Sequence, residues 1–488
     1  MLEIENFIDG EFVPAVSQES LDDFNPATGQ KIGNISSSGH RDVNNAVKAA
    51  NGALAGWSSL SLDERIIWLE KIADALETKK EEIAKVESLD TGKPISLARR
   101  VDASRSITNF RFFSQFAKEQ ESLEFEMTDA TNYVHRKPVG IVGLITPWNL
   151  PLYLLTWKIA PALVMGNTII AKPSELTPLT ANLFAKTLQE IDFPKGVFNI
   201  VHGLGPEAGQ AILEHPEIKA ISFTGGTQTG RIVARTAAPL FKKLSLELGG
   251  KSPVVVFKDA RKNNAINGIM ASIFGAGGQS CIAGSRLYLQ EEIYDEYLEE
   301  LKNRVEEIEI GDPLSTTTQL GPLATLNQLQ NIEEKIKQTK KLGGKIITGG
   351  KKVSEFKNGY YFEPTIIECA NHNLPVVENE LFGPVLSVMK FKDEENAIKL
   401  MNDNSFGLAA GIFTENNGIA MRVSKAVEAG IVFVNTYRLI SPVAPFGGFK
   451  NSGYGRESGL EVMKDYSNTK TTWINTSTKE IDDPFIIR

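Results

Sequence analysis

The hydrophobic pattern changes period several times along the chain. From Val139 the run VGIVGLI is apolar throughout, as expected of a strand covered on both faces, and Pro151 to Met165 has the length of a buried helix. GNTIIAKP, VFNIVHG and AISFTGG read as further strands, with helices over Thr180 to Ile191 and Pro206 to Leu213 between them. Short apolar strands alternating with helices predict a parallel, doubly wound α/β sheet, whose ligands collect at the carboxyl ends of the strands. A second alternating region opens with SPVVVF at Ser252 and runs through a helix from Glu291 to Ile308, where Leu298, Leu301, Val305 and Ile308 share one face. KIITGG, LSVMKF, AAGIF and GIVFVN complete it as strands.

The amino-terminal hundred residues read as packing helices. Val43, Ala46, Val47, Ala50 and Leu54 recur at helical spacing, and Ser61 with Glu64 makes a capping box. Period-two alternation marks LEFEMT from Leu123, NYVHRK from Asn132, and NTKTTWIN near the carboxyl end. An antiparallel arm over residues 120–138 would carry an edge strand in need of a partner, which points to an oligomer contact.

At 488 residues the chain exceeds the roughly 250 to 300 residues at which a single core stops growing, so two or more domains are expected. The net charge of −8, with Lys and Arg scattered, lacks the basic footprint of a nucleic-acid binder. The apolar stretch Leu152 to Gly166 is broken by Lys158 and Pro161 and falls short of the ~20 residues of a membrane helix, so no span is expected. MLEIENFIDGEF carries acids where a secretory signal is basic, which argues for a cytoplasmic protein. Two cysteines, Cys281 and Cys369, cannot staple so long a chain, and the five histidines show no metal-ligand spacing.

Chemistry concentrates after the strands. Cys281 lies in FGAGGQSCIAGSRLYL, where Gly275, Gly277, Gly278 and Gly284 would let the loop expose the sulfur and its own N–H; an inert buried thiol fits the same residues. Glu247, in KKLSLELGGKSP, shares a strand face with Ser245 opposite Leu244, Leu246 and Leu248. It is either a general base with a raised pKa or a solvated charge. FTGGTQTG closes a strand and opens a helix, a phosphate-binding setting or a simple Gly-rich turn, and Lys172 with Glu175 in AKPSELTP is a ribose-binding pair or an exposed loop pair.

TPWNLP with Asn149, AKPSELTP, FTGGTQTG, LELGGKSP, GQSC, ELFGPV and PFGGFKNSGYGRE follow one another in the order found in the aldehyde dehydrogenase superfamily, which the chain resembles over essentially its whole length. The resemblance implies a role for each residue. Cys281 matches the nucleophile, Glu247 the base that activates water, and Asn149 the side-chain donor of an oxyanion hole completed by the Cys281 N–H. Thr146, Pro147, Trp148, Lys172, Glu175, Gly205, Phe223, Gly225, Gly226, Leu248, Glu380 and Phe382 match contacts to NAD, with NADP as the alternative, and no metal. The implied fold is a Rossmann-type cofactor domain (1–119 and 139–251), a second α/β catalytic domain (252–464) and a β oligomerisation arm (120–138 and 465–488), in a homodimer or homotetramer.

The resemblance also bears on the substrate, a small-molecule aldehyde. Tyr153, Trp157 and Phe446 match the wall of the substrate tunnel. RSITNFRFF (Arg105 to Phe113), ENFIDGEF and PWNLPLYLLTWKIAPA are similar to the branch acting on 2-aminomuconate and 2-hydroxymuconate semialdehydes, in which an arginine matching Arg105 and a second in the loop before PFGG hold the substrate carboxylate. In VNTYRLISPVAPFGG that second position is Ile440, and Arg438 falls two residues earlier. The expected substrate is therefore a neutral aromatic or aliphatic aldehyde, with a muconate semialdehyde as the alternative. A CoA-acylating enzyme is disfavoured by the acid at Glu247. A cysteine-dependent hydrolase would leave the cofactor motifs unexplained, and a non-enzymatic role would leave Cys281, Glu247 and Asn149 without a reason to occur together.

Overall fold

Five of the apolar runs between residues 139 and 247 become parallel neighbours. In the computed structural model, which describes residues 1–119 and 123–486, Lys243–Glu247, Ile218–Thr224, Ile141–Ile145, Thr168–Lys172 and Phe198–Ile200 pair in that spatial order. The chain winds one way through the last three and returns on the other side with the first two. The order therefore reverses between Ile141–Ile145 and Ile218–Thr224, the switch point at which such sheets open a ligand crevice. Antiparallel strands flank this parallel core, Gly453–Tyr454 beside Lys243–Glu247 and then Asn6–Ile8 with Glu11–Val13 beside Phe198–Ile200.

A seven-stranded sheet follows, in the order Lys345–Thr348, Thr365–Glu368, Val385–Phe391, Arg286–Gln290, Pro253–Val256, Ala409–Phe413 and Ile431–Val434, parallel except at its first strand. A three-stranded antiparallel sheet joins Ser467–Asn475, Ala130–Pro138 and Leu123–Glu126. Residues 120–122 and 487–488 of the expected arm lie outside the described residues.

The helix Pro151–Val164 links the two large layers. Pro151 occupies its first turn, where no amide donor is needed, and every one of its side chains is buried. Leu152, Leu155, Ile159 and Leu163 pack with Phe110, Phe113 and Phe184. Tyr153, Leu154 and Trp157, on the other side, join a cluster containing Ile282, Tyr437 and Phe446. One helix thus carries residues of the first layer to the loops of the second.

The structure corrects the reading of the amino terminus. Strands Leu2–Ile4, Asn6–Ile8, Glu11–Val13, Ser20–Asn25 and Gln30–Ser36 precede the first helix, His40–Ser59. Three of them span three residues, too short for a period to register, and Asn6–Ile8 is fixed by pairing with Phe198–Ile200, about two hundred residues away. The helix expected from Pro206 is also split, into a wide turn at Gly205–Gly209 and a short helix at Gln210–Glu214.

Candidate active site

Cys281 sits in the loop between the helix Lys262–Ile273 and the strand Arg286–Gln290. Ala276, Gly277 and Gly278 take positive φ angles of 56°, 61° and 68° in succession, which turn the chain sharply ahead of the thiol. A Cβ on Gly278 would come within 2.1 Å of the Gly383 carbonyl oxygen, and one on Gly250 within 2.4 Å of the Cys281 carbonyl oxygen, so both close approaches require glycine. Two side chains pin the loop on either side of the cysteine. Asn149 Nδ2 donates to the Gln279 carbonyl at 3.0 Å, and the Tyr437 hydroxyl donates to the Ile282 carbonyl at 2.9 Å. Burial pushes the thiol up to about 12, with Glu380 and Glu247 adding to the shift and the Ile282 amide and Arg438 opposing it. The sulfur rests protonated.

Glu247 ends its strand, in register with Thr224 on one side and Gly453 on the other. At 2% exposed it is not a solvated charge, and neither carboxylate oxygen has a hydrogen-bond partner. Burial, and then the negative charge of Glu457, hold its carboxyl well above the usual range, against the pull of Lys158 and Arg456. A Cβ on Gly447 would lie 2.7 Å from its Oε1, so the facing loop leaves room for the carboxyl through a glycine.

Beyond Glu247 lies a polar group that the sequence reading missed. Lys158 and Glu457, both wholly buried, form an ion pair at 2.5 Å, and Ser222 bonds to each, at 2.7 Å to Lys158 and 2.5 Å to Glu457. The signal for it in the sequence is Lys158, the single lysine inside the apolar run from Leu152 to Gly166, since a charge buried there needs a partner.

A cavity of about 230 Å³ brings Asn149, Glu247 and Cys281 together with Pro147, Trp148, Gly225, Gly226, Leu248, Glu380 and Phe382. Its walls come from the carboxyl ends of Ile141–Ile145, Ile218–Thr224 and Lys243–Glu247, as the switch point requires. The Gly250 amide donates to Glu380 Oε1 at 3.0 Å, and a Cβ on Gly249 would lie 2.1 Å from the other oxygen. Burial raises Glu380 to about 7, with that amide and Lys251 holding it down. Trp148 and Phe382 meet edge to face at 5.2 Å, and the hydroxyl of Thr224 has no partner. A carboxylate, two aromatic rings, a free hydroxyl and two glycines at a strand end fit the ribose and ring of a nicotinamide nucleotide.

The other expected cofactor residues stand outside this cavity. Phe223 lies beneath Gly225, where a Cβ would meet its ring at 2.5 Å. Thr146 is buried with an unpartnered hydroxyl, and its amide donates to the Lys172 carbonyl at 3.2 Å. Lys172 and Glu175 pair at 2.8 Å, and Gly205 opens the wide turn that ends at Gly209, whose Cβ position lies 3.8 Å from the Lys172 chain.

A larger cavity of about 590 Å³ is lined by Ser280 and Ile282, the two chain neighbours of Cys281, along with Arg105, Tyr153, Arg438 and Ile440. Cys281 itself lines the smaller one, so the loop that carries the nucleophile candidate contributes to both. Trp157 and Phe446 do not line either cavity. They back Tyr153 instead, with Trp157 at 5.4 Å from Tyr153 and 5.2 Å from Phe446. No helix among the described residues is long and apolar enough to cross a membrane.

Residues 12–472 match the model of the aldehyde dehydrogenase family. The chain is 41% identical to (Z)-2-((N-methylformamido)methylene)-5-hydroxybutyrolactone dehydrogenase of Acinetobacter baylyi, over 100% of both chains, and 41% identical to 2-hydroxymuconic semialdehyde dehydrogenase of Pseudomonas sp. (strain CF600), over 96% of this chain and 99% of that one. Among solved structures it resembles PnpE of Pseudomonas sp. WBC-3, crystallised also in complex with nicotinamide adenine dinucleotide. The TM-score is 0.97 at 40% identity, covering 99% of this chain and 100% of PnpE.

Proposed function

The chain belongs to the aldehyde dehydrogenase family, and from that premise we propose that it oxidises an aldehyde to the carboxylic acid with NAD, through a thioester on Cys281. The observation that carries the assignment is the meeting of Cys281, Asn149, Glu247 and Glu380 around one cavity, with the Glu247 carboxylate free of any protein partner.

Each residue has a task matched to its setting. Once its proton is removed, Cys281 adds to the aldehyde carbon, and the oxyanion of the thiohemiacetal is held by the Asn149 side chain and the Cys281 amide. Glu380 and the Trp148–Phe382 pair would hold the nicotinamide riboside, and Lys172 with Glu175 the adenosine ribose. NAD, when bound, supplies the hydride acceptor for the step that leaves the thioester. Glu247 then takes a proton from water to release the acid, and its raised pKa makes it a stronger base than an exposed carboxylate. The ion pair of Lys158 with Glu457 fixes the charge next to Glu247 without occupying its oxygens.

The reading extends to assembly. We divide the chain into a cofactor domain (1–119 and 139–251), a catalytic domain (252–464) and an arm (120–138 and 465–488), with Gly453–Tyr454 of the second segment crossing to the edge of the first sheet. Leu123, Phe125, Trp473 and Ile474 are exposed on the three-stranded sheet of the arm, which suits a contact between copies of this chain.

The test follows NADH formation and protein mass together. Cys281→Ala should abolish turnover and leave NAD binding, measured by calorimetry, nearly unchanged. Glu247→Gln should give one burst of NADH per site and a trapped acyl adduct on the intact protein. Steady turnover by Cys281→Ala would reject the thioester, and steady turnover by Glu247→Gln without an adduct would reject the base.

A further inference from the structure

We propose that Arg438 is a positioning residue for the nucleophile, its guanidinium serving as the counter-charge that lets Cys281 ionise. This rests on the dehydrogenase reading, in which the sulfur attacks once its proton is removed, and specifies what holds the resulting charge.

The nucleophile faces two acids. Cys281 shares its cavity of about 230 Å³ with Glu247 and Glu380, and each carboxylate works against a further negative charge there. The cations near those acids act on the acids themselves, Lys158 and Arg456 on Glu247, and Lys251 on Glu380. Tyr153 and Tyr437 also sense the sulfur, but burial raises both phenols and they stay neutral. A reactive thiolate needs a positive neighbour of its own, since its surroundings otherwise keep the proton on sulfur.

Arg438 is fastened to the cysteine loop on both sides of the sulfur. The hydroxyl of Tyr437, the residue before it, donates at 2.9 Å to the carbonyl of Ile282, the residue after the cysteine. Its guanidinium lies against Gly275, which opens the turn ahead of Cys281: a Cβ there would stand 3.3 Å from Nη1, 3.6 Å from Cζ and 3.9 Å from Nε. Cys281 falls between these two anchor points in the chain. Arg438 itself stands at φ 60°, a left-handed conformation uncommon for a long side chain. Strain of this kind beside a nucleophile is a feature that function explains more readily than packing does.

The guanidinium has no other anion to serve. Nε and Nη2 of Arg438 are closed off from solvent and have no hydrogen-bond partner, and no ion pair among the described residues includes this arginine. A desolvated guanidinium left unpaired is costly, and a thiolate beside it would relieve that cost. The attraction runs both ways. Arg438 opposes the burial that keeps the thiol protonated, and Cys281, after Tyr437, opposes the burial that disfavours the charge on Arg438. Arg105, on the same cavity wall, is placed differently: it donates to the Ile440 carbonyl at 3.2 Å and lies over the Tyr153 ring at 5.4 Å.

The experiment titrates Cys281 in the full-length protein without NAD, so that the charge on the nicotinamide plays no part. Thiolate absorbance is read in wild type, Arg438→Met, Arg438→Lys and Arg105→Met, each as a difference against the same protein carrying Cys281→Ser, which cancels Cys369 and the tyrosines. Alkylation by iodoacetamide, located at Cys281 by peptide mass, follows the same ionisation as a rate. Arg438→Met should raise the midpoint by about one pH unit or more and slow alkylation below it by about tenfold. Arg438→Lys should recover part of that shift, and Arg105→Met should leave the midpoint in place. Arg438→Gln replaces the Met variant if the latter fails to fold. Slower alkylation with an unmoved midpoint, or an equal shift in Arg105→Met, would overturn the counter-charge. Oxidation of a panel of neutral aldehydes is measured separately. Turnover with an unmoved midpoint would sink the counter-charge and leave the dehydrogenase reading intact, whereas a displaced midpoint without turnover of any aldehyde would do the opposite.

Discussion

The side-chain amide of Asn149 donates to the carbonyl oxygen of Gln279 at 3.0 Å, two residues before Cys281 in the chain. One of the two amide hydrogens is used in that bond, and the other is left for the cavity that both Asn149 and Cys281 line. Gln279 is itself held, because its Oε1 accepts from the Ala324 amide at 2.9 Å. The donor is thus set before any substrate arrives, which is the condition under which an oxyanion donor is most effective.

Asn149→Ala is therefore expected to lower kcat by about 10² to 10³-fold, the usual effect of removing one oxyanion donor. Cofactor affinity should change little, since the wall contributed by Glu380 and Phe382 is untouched. Steady-state kinetics on one good aldehyde, with calorimetric titration of NAD, check both. A fall confined to KM would mean that Asn149 holds the loop rather than the oxyanion.

Glu175 should set the choice of cofactor. Its carboxylate is paired with Lys172 at 2.8 Å but remains partly exposed, so it can accept from a ribose 2′-hydroxyl and would repel a 2′-phosphate. Wild type should favour NAD over NADP, and Glu175→Gln should narrow the ratio of kcat/KM for the two by about tenfold, the scale of one charged interaction. A preference for NADP in the wild type would contradict the role.

Much of the fold was legible in the sequence because most of the parallel strands are apolar and several of their ends are marked by glycine, proline or asparagine. Gly225 and Asn149 follow such strands and Glu247 closes an alternating one, which made them candidates, but their roles came from the resemblance. The amino-terminal strands escaped because three-residue segments carry no period, and their pairing is decided by strands far along the chain. Arg438 is visible in the sequence, but its side-chain direction depends on one left-handed backbone angle, which an arginine gives no reason to expect. Trp157 and Phe446 were assigned to the wall from likeness alone, and the packing places Tyr153 in front of them.

The last prediction concerns stability and pH. Asp23, 1% exposed, faces Asp90, which is equally buried and accepts from the Leu179 amide at 2.9 Å. Burial raises Asp23 to about 7 against the Phe24 amide and Asp90. It raises Asp90 well above the usual range, with the charges of Asp23 and Glu87 adding to the shift and the Leu179 amide opposing it. An acid whose folded pKa exceeds its unfolded value of about 3.9 binds its proton more tightly in the fold. Its contribution to stability is complete below pH ~4, declines as the pH rises toward 7, and is gone above that. Asp23→Asn keeps the shape, removes the charge and offers an N–H to Asp90. The variant should therefore lose part of the fall in Tm between pH 5 and 8, and its Tm relative to the wild type should be higher at pH 8 than at pH 5. Glu87 and Glu380, each raised to about 7, and Asp465, raised to about 6, titrate in the same direction, but they are present in both proteins, so the difference between the two melting curves reports the Asp23–Asp90 pair. Parallel curves across that range would show that Asp23 does not carry the proton.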